Sequence, residues 1–225
     1  MPPTSGMIRF EDHFNRAQEF STTPGHNGWT IKDTSASGTP TYLTITEDGG
    51  AAKLTLAATS EAEVVTLYQN NVLPIDLAKL KRFAVVAKVA DVNSVTTIVV
   101  GLGNAQNDTA DSVGVNCWFK IDGSASTENL VIETDDTVTD DDDNATGVTL
   151  GSNYKRLEMD FSNGLSDIRF YADGQPVGSG TFSLAGVTAG QNVQPFIQIQ
   201  KASGTGTPSI TIAEVEYDEA YSYGS

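Results

Sequence analysis

The stretch YKRLEMDFSNGLSDIRFYADGQPV, residues 154–177, decides the fold because apolar and polar side chains alternate strictly along it. Apolar residues occupy every second position from Leu157 to Phe161, and again from Ile168 to Ala172. A period of two is typical of a strand with one buried and one solvated face. Asn163-Gly164 and Asp173-Gly174 interrupt the runs with residues that accept the positive φ of a tight reversal. The stretch therefore predicts two antiparallel strands and the start of a third.

The rest of the chain repeats this pattern in both directions. Short alternating or apolar runs are separated by turn residues roughly every 8–12 positions, which is typical of a sandwich or a barrel. These short runs amount to about a dozen predicted strands. No change in composition along the chain indicates a linker between domains. Asp135–Gly147, DDTVTDDDDNATG, is predicted as a charged loop. We therefore predict one all-β antiparallel domain over residues 10–217, with an N-terminal arm of residues 1–9 and a C-terminal tail of residues 218–225.

The charge balance limits the partners that the chain can have. The 225 residues include 29 acidic and 13 basic side chains, for a net charge of −16. Too few cations are present to displace phosphate counterions, so we expect no nucleic-acid binding and no binding to anionic membranes. No run approaches the ~18 apolar residues of a membrane span, and we expect no secretory signal. Cys117 is the only cysteine, so no intrachain disulfide forms, and its place in a predicted strand indicates a buried, inert thiol.

The last third of the chain resembles a known fold family. Residues 154–177, followed by QPFIQIQKASG and SITIAEVEYDEAY, resemble the concanavalin-A-like jelly roll. More narrowly, they resemble the laminin-G-like β-sandwiches of tailed-bacteriophage virion proteins, through the pattern D-I-R-F-Y-x-D-G-Q-x-V at Asp167–Val177. The resemblance covers residues 151–221 and is faint before them. It implies a jelly-roll β-sandwich, and it specifies the fold better than the function, since this fold hosts lectins, glycan lyases, glycosidases and capsid proteins.

The resemblance implies a virion structural protein that is not an enzyme and needs no cofactor. It would decorate or cement the capsid, with the major capsid protein and two further copies in a homotrimer as partners. Its place would be the capsid surface of the virion, after synthesis in the host cytoplasm. The interface candidates are Met7, Phe10, Tyr221 and Tyr223. The alternative is a carbohydrate-binding or glycan-cleaving module of a tail or head fibre, and a cytoplasmic glucanase is the weakest hypothesis.

Three carboxylates near the end of the chain are the sharpest enzymatic candidates. Related sandwich glycosidases carry Glu-x-Asp-x-Glu on one strand, whereas this chain has Glu214, Glu216 and Asp218 in that order. In a regular strand the Cα atoms of Glu214 and Asp218 would be ~13 Å apart, against the ~5 Å carboxyl separation of a retaining pair. The sequence indicates no bulge that would shorten this distance. We therefore expect a solvated strand face and no catalytic residue.

The acidic loop contains the only candidate metal ligands. Asp140, Asp142 and Asn144 resemble half of a calcium loop, but Ala145 replaces the required glycine and Gly151 stands where a bidentate glutamate is needed. An EF-hand is therefore excluded. Loose calcium or magnesium binding stays open, and a solvated loop is favoured over it. The two histidines lack ligand spacing, so no zinc site is expected.

Aromatic side chains offer a way to distinguish the hypotheses. A glycan binder is expected to present two or three coplanar rings on the concave face, and an enzyme two carboxylates close together in that groove. A decoration protein is expected to show neither, but a flat apolar or charged patch and protruding arms. Core or interface packing is the simpler interpretation of most of the seven candidate aromatic residues, which are Tyr68, Trp29, Trp118, Tyr171, Tyr217, Tyr221 and Tyr223.

Overall fold

A computed structural model describes residues 5–125 and 128–222 and arranges them as two antiparallel β-sheets packed face to face. Strands account for 54% of the chain and helices for 4%. Sixteen strands lie within the described residues, rather than the dozen predicted. The all-β jelly-roll sandwich predicted from the sequence is thereby confirmed. No helix in the described part of the chain is long and apolar enough to cross a membrane.

Sheet A contains eight strands, including both the first and the last. They are β1 Ser5–Asp12, β3 Thr41–Ile45, β4 Ala51–Thr55, β7 Leu80–Ala90, β12 Lys155–Asp160, β13 Ile168–Ala172, β14 Gln175–Phe182 and β16 Ser209–Ser222. Their order is β14-β13-β12-β7-β16-β4-β3, and β1 pairs with the second half of β16.

Sheet B also contains eight strands. They are β2 Thr30–Asp33, β5 Glu63–Tyr68, β6 Ile75–Asp76, β8 Thr96–Gly103, β9 Asn116–Asp122, β10 Asn129–Asp135, β11 Asp140–Thr149 and β15 Asn192–Lys201. Their order is β11-β10-β9-β8-β15-β5-β2, and the short β6 pairs with β15.

Residues 154–177 form the predicted strands β12 and β13 and the start of β14. Leu157 lies opposite Ala172, and the apolar side chains of both strands are buried. Asp173 and Gly174, with φ of 50° and 75°, make the two-residue reversal into β14. Asn163-Gly164 belongs to a longer connection between β12 and β13, so this reversal is less tight than predicted.

The inner faces of the two sheets enclose the core. Phe119 of sheet B meets Phe170 of sheet A edge to face, with ring centroids 5.2 Å apart. The Cys117 sulfur lies 3.6 Å from the Met159 sulfur across the same interface. Burial raises the pKa of the Cys117 thiol, because the thiolate would lose its hydration. The prediction of a buried, inert cysteine is therefore confirmed.

The acidic segment is not the loop that its composition predicts. Asp140–Thr149 is the edge strand β11, paired with β10. Four residues, 136–139, reverse the chain, and the Asp136 carboxylate accepts hydrogen bonds from the backbone N–H of Val138, Thr139 and Gly186. Pairing with β10 satisfies the backbone of a sequence whose aspartates disfavour a strand. The loop prediction was wrong because pairing outweighs propensity here.

The two ends of the described chain pair with each other. Residues 5–9, in the predicted arm, and residues 218–222, in the predicted tail, lie in β1 and β16 as antiparallel neighbours. Gly6 is opposite Tyr221, and Phe10 is opposite Tyr217. The interface candidate Tyr223 lies outside the described residues.

Candidate functional site

A row of aromatic and polar side chains crosses six strands on the outer face of sheet B. The residues directly opposite one another in successive strands are Glu133, Trp118, Gly101, Phe196, Tyr68 and Thr30. The Trp118 and Phe196 rings stack over Gly101, with centroids 5.6 Å apart and planes inclined by 27°. A Cβ at Gly101 would lie 2.5 Å from the Trp118 Cβ, so glycine leaves room for the stack. The two rings are stacked on each other, so this face carries an aromatic pair but not the coplanar rings expected of a glycan binder.

Residues 104–115, which join β8 to β9 and which we name the covering segment, fold over this row. Ala110 and Val113 pack with Trp118, Phe196 and Val99 in an apolar cluster separate from the core. The Gln198 Nε2 donates to the Asn107 carbonyl at 2.7 Å. Trp118 and Phe196 are completely buried as a result. A ligand reaches the rings only when the covering segment moves.

Four charged side chains, which we name the Lys120 cluster, lie beside the aromatic row. The Lys120 Nζ is 2.9 Å from Glu133 Oε2 and 3.3 Å from both Asp111 Oδ1 and Asp143 Oδ1. The three carboxylates come from different elements, namely β10, the covering segment and β11. Asp143 has a left-handed φ of 51° where the pairing of β10 and β11 is irregular. Three carboxyl groups therefore meet at one ammonium nitrogen.

The three carboxyl groups of the Lys120 cluster differ in their exposure. The Glu133 side chain is 2% exposed, whereas Asp111 is 68% and Asp143 53% exposed. Burial raises the pKa of Glu133, and the Lys120 ammonium offsets part of that rise. Burial alone would lower the pKa of Lys120, but hydrogen bonding and attraction from Glu133 raise it. A buried carboxyl with a raised pKa beside solvated carboxylates can act as a general acid.

Three buried polar atoms on this face have no hydrogen-bond partner in the described part of the chain. They are Trp118 Nε1, Asn116 Oδ1 and Gln198 Oε1, on residues that are at most 2% exposed. Each such group costs about 1–3 kcal/mol, and native proteins contain few of them. A ligand rich in hydroxyl groups would supply both the acceptor and the donors that they lack.

The predicted metal ligands Asp140, Asp142 and Asn144 lie on the edge strand β11. The Asn144 amide contacts the Asp141 carboxylate at 3.4 Å. Burial and the neighbouring Asp140 carboxylate raise the pKa of Asp142, because like charges disfavour a second ionisation. In residues 5–125 and 128–222, no group of three or more His, Cys, Asp or Glu side chains is arranged to hold a metal ion. The cation-binding hypothesis therefore stays a prediction without a ligand set.

The carboxylates of β16 lie on the outer face of sheet A and are bound by arginines. Arg156 Nη1 is 2.9 Å from Glu214 Oε1, and its other terminal nitrogen binds Glu216. Arg82 is 2.8 Å from Glu216 Oε1 and 2.9 Å from Asp218 Oδ2. The two register shifts of β16 fall outside 214–218, so the spacing there stays that of a regular strand. The predicted solvated face is instead partly buried, because Glu216 and Asp218 are engaged by these arginines.

The remaining interface candidates lie on the ribbon formed by β1 and β16. Met7 is 57% exposed and Tyr221 40% exposed. Phe10 stacks on Tyr217, with centroids 4.8 Å apart and planes inclined by 9°. Both rings line an apolar pocket of about 250 Å³ together with Val72 and Pro74. Met7, Phe10 and Tyr221, the three candidates within the described residues, are therefore not gathered at the Lys120 cluster.

Sequence reasoning missed Glu133 and Lys120 as site residues. Both belong to alternating runs, in which the charged positions are ordinarily the solvated ones. The available signal was the pattern Asn116-x-Trp118-x-Lys120, which puts an indole and two polar groups on one face of a strand. Burial of that face depends on the covering segment, which local patterns do not reveal.

No protein-family model matches the chain, and no curated protein matches its sequence. Solved structures match its fold. The Bacteroides ovatus mixed linkage glucan GH16 bound to its G4G4G3G product is 13% identical, with a TM-score of 0.60 over 92% of this chain and 99% of that one. The Crh5 transglycosylase in complex with NAG is 16% identical, with a TM-score of 0.55 over 99% and 91%. The Emp47p carbohydrate recognition domain is 8% identical, with a TM-score of 0.55 over 89% and 94%.

These similarities define the chain as a concanavalin-A-like jelly-roll β-sandwich. At such identities they show the fold alone, and they do not show the narrower class of bacteriophage virion proteins. They also correct one prediction. The expectation that the chain is not an enzyme was wrong, because its structural neighbours include glycoside hydrolases and a transglycosylase.

Proposed function

We propose that this chain recognises a carbohydrate on the outer face of sheet B. The observation that carries the proposal is the stacked Trp118–Phe196 pair bordered by buried polar atoms without partners. Aromatic rings provide flat apolar surfaces, and the flanking polar atoms would bind hydroxyl groups. Carbohydrates named with the structural neighbours, mixed linkage glucan and NAG, are the first ligands to test.

A glycan array followed by titration calorimetry tests carbohydrate recognition. Trp118→Phe keeps the ring stack and removes the indole donor, so we expect about tenfold weaker binding, the effect of roughly 1.4 kcal/mol. Tyr171→Phe is the matched control, because it removes a polar group from an aromatic ring on sheet A. The Tyr171→Phe variant should bind the carbohydrate as tightly as the native chain does.

The covering segment requires a second variant in the same experiment. Ala110→Glu places a charge against the Trp118–Phe196 pair, where it cannot stay buried, and so releases the covering segment. This variant should bind the carbohydrate at least as tightly as the native chain. If neither protein binds any carbohydrate on the array, the proposal is wrong.

Cleavage of the bound glycan is a second candidate function, favoured by the Lys120 cluster. Glu133 is buried and has a raised pKa. Asp111 and Asp143 both contact the Lys120 Nζ. Glu133, when protonated, would donate its proton to the leaving oxygen as the glycosidic C–O bond breaks, and Asp111 or Asp143 would take a proton from the water that bonds to the anomeric carbon.

Release of reducing ends from the bound glycan measures cleavage. Glu133→Gln should abolish it, because the proton donor is lost, and calorimetry shows whether the loss of the charge that Lys120 pairs with also weakens binding. Glu158→Gln, an arginine-bound carboxylate of sheet A, is the control and should keep full activity. A native chain that binds but never cleaves would limit the function to recognition.

The virion role implied by the sequence resemblance stays a prediction. It comprises capsid decoration, the major capsid protein as partner, a homotrimer and a place on the capsid surface. No structural neighbour bears on any of these points. Electron cryo-microscopy of virions from the source tests them together, since a decoration protein would appear as regular density on the capsid lattice.

A further inference from the structure

Strand β1 is an edge that nothing covers in the described part of the chain. It pairs with residues 215–222 of β16, whereas β4 pairs only with residues 209–212. Along most of its length β1 therefore has β16 on one side and no strand on the other. Half of the backbone N–H and C=O groups of an edge strand point away from the sheet. Its sequence, SGMIRFED, has no proline, and its pairing with β16 has no bulge.

The side chains at this edge are unusually apolar for so acidic a protein. Six large apolar side chains are exposed among the described residues, and three of them, Met7, Ile8 and Tyr221, lie on the ribbon of β1 and β16. Ile8 is 48% exposed. Native edges are ordinarily protected by charges, prolines or bulges, and an exposed apolar edge marks a pairing surface.

Of the registers centred on Ile8, Arg9 and Phe10, the first suits a second copy of β1 best. Two antiparallel copies of β1 would be related by a two-fold axis perpendicular to the sheet. Even-numbered residues of one copy would then face even-numbered residues of the other, and odd-numbered residues would face odd-numbered ones, with facing side chains on the same side of the sheet. An axis at Arg9 would set two guanidinium groups opposite one another, which destabilises a pair. An axis at Phe10 would bring Asp12 into the contact, but its carboxylate is already bound by the Trp29 indole at 2.7 Å. An axis at Ile8 places no two like charges opposite one another and leaves Asp12 outside the contact.

The Ile8 register also repeats a packing pattern found inside the protein. Ile8 would face Ile8 of the second copy, and Gly6 would face Phe10 of the second copy. Because Tyr221 is opposite Gly6, an aromatic ring would stand on each side of a strand glycine. Trp118 and Phe196 stack across Gly101 in the same aromatic–glycine–aromatic order. Aromatic side chains that cover a strand glycine stabilise sheets.

We propose that two copies of this chain associate through β1, antiparallel about a two-fold axis at Ile8, and join their A sheets into one continuous sheet. The contact comprises residues 5–11 of each copy. It does not use the outer face of sheet B, so it is independent of carbohydrate recognition.

An Ile8→Cys variant tests the axis. Residues directly opposite in an antiparallel pair have Cα atoms ~4.5–5.5 Å apart, within the range that a disulfide spans. Mild oxidation should therefore give a covalent dimer in non-reducing electrophoresis. The native Cys117 is completely buried and contributes no background. Met7→Cys is the matched control, because the two copies of residue 7 would be displaced diagonally by ~7–8 Å or more and should cross-link at least tenfold more slowly.

Sedimentation measures the association without a cross-link. The native chain should have the mass of a dimer, and Ile8→Lys should weaken the dimer at least tenfold, because two ammonium groups would then meet at the axis. Leu43→Lys is the control, since Leu43 is an exposed apolar residue on β3, outside the proposed contact of residues 5–11. A native monomer, a native trimer, or equal cross-linking at residues 7 and 8 would each overturn the proposal.

Discussion

Gly101 controls the packing on the outer face of sheet B. A Cβ at this position would lie 2.3 Å from the Cys117 carbonyl oxygen and 2.5 Å from the Trp118 Cβ. Neither neighbour is the end of a flexible side chain, so the strand would have to shift. We expect Gly101→Ala to lower the free energy of unfolding by about 1–3 kcal/mol, the usual cost of overpacking. Denaturant titration measures this change.

Gly114→Ala is the control for that substitution. Its nearest contact would be an ordinary 3.5 Å to the Thr137 methyl group, at a backbone conformation open to any residue. It should change the unfolding midpoint little. Equal destabilisation by both substitutions would mean that the loss of glycine, and not the close contact, is responsible.

Asp218 gives the fold a dependence on pH. Burial alone would raise the pKa of Asp218, but hydrogen bonds from Arg9 and Arg82 hold it below its ordinary value. Since the folded-state pKa lies below the unfolded value of about 3.9, this stabilisation is complete above pH ~4 and is lost as the pH falls through the folded pKa. We expect Asp218→Asn to cost about 2 kcal/mol at neutral pH, with the difference disappearing in acid.

Unfolding curves across the acid range measure this difference. Asp173→Asn is the control, because Asp173 is half exposed in its pair with Lys155, and such pairs contribute less than about 1 kcal/mol. A loss from Asp218→Asn that stays constant down to pH ~2 would show that the effect does not come from ionisation.

The burial of some residues could be predicted from the sequence, whereas the burial of others could not, for a physical reason. Trp29 belongs to the aromatic residues for which core packing was the simpler interpretation, and it is 1% exposed in the core. Glu133 and Lys120 belong to alternating runs, but period two cannot tell which outer face another segment will cover. Their pairing depends on contacts between β9, β10 and the covering segment, which lie apart in the sequence.

The covering segment is the element whose movement decides access to the aromatic row. Small apolar residues, Ala110 and Val113, pack it against the Trp118–Phe196 pair. The hydrogen bond from Gln198 to the Asn107 carbonyl and the contact of Asp111 with Lys120 also hold it. We expect Ala110→Glu to make residues 104–115 cleavable by a protease at least tenfold faster than in the native chain, because local opening costs less free energy.

Limited proteolysis with mass mapping locates that cleavage. Ala185→Glu is the control, since Ala185 is an exposed alanine in the connection between β14 and β15, and it should leave cleavage within residues 104–115 unchanged. A variant that is cleaved throughout the chain would indicate global unfolding rather than release of the segment.

Strands differ in how well the sequence predicts them. β12, β13 and β14 follow from alternation and from the Asp173-Gly174 reversal. β11 does not, because four consecutive aspartates, residues 140–143, have low strand propensity and only pairing with β10 makes them a strand. Elements stabilised by local patterns are predictable, whereas an edge strand stabilised by its neighbour is not.

At the scale of the whole molecule, net charge opposes the proposed dimer. Each copy carries −16, and the contact at β1 is mainly apolar. Salt screens the repulsion between the copies, so we expect the dimer to strengthen at least severalfold between low and physiological ionic strength. Sedimentation at the two salt concentrations measures this, with Leu43→Lys as the control. A dimer that weakens with salt would instead depend on ion pairs.

The fold class was predictable from the sequence and the activity was not. Regular turns and short alternating runs define a sandwich, but the same sandwich carries binding sites, catalytic sites or neither. The distinction depends on a few side chains, such as Glu133 and Trp118, brought together on a face that the sandwich itself does not require.

The placement of β15 and β16 has a consequence for biosynthesis. These are the last two strands in this chain, yet β15 lies between β8 and β5, and β16 lies between β7 and β4. Until the ribosome has released them, both sheets lack an inner strand, and each strand on either side lacks one of its two partners. Many contacts between distant parts of the chain therefore form late, which exposes unpaired edges and apolar faces to chaperones and proteases. A nascent chain that stops before residue 192 is expected to be degraded rather than to persist as a partly active fragment.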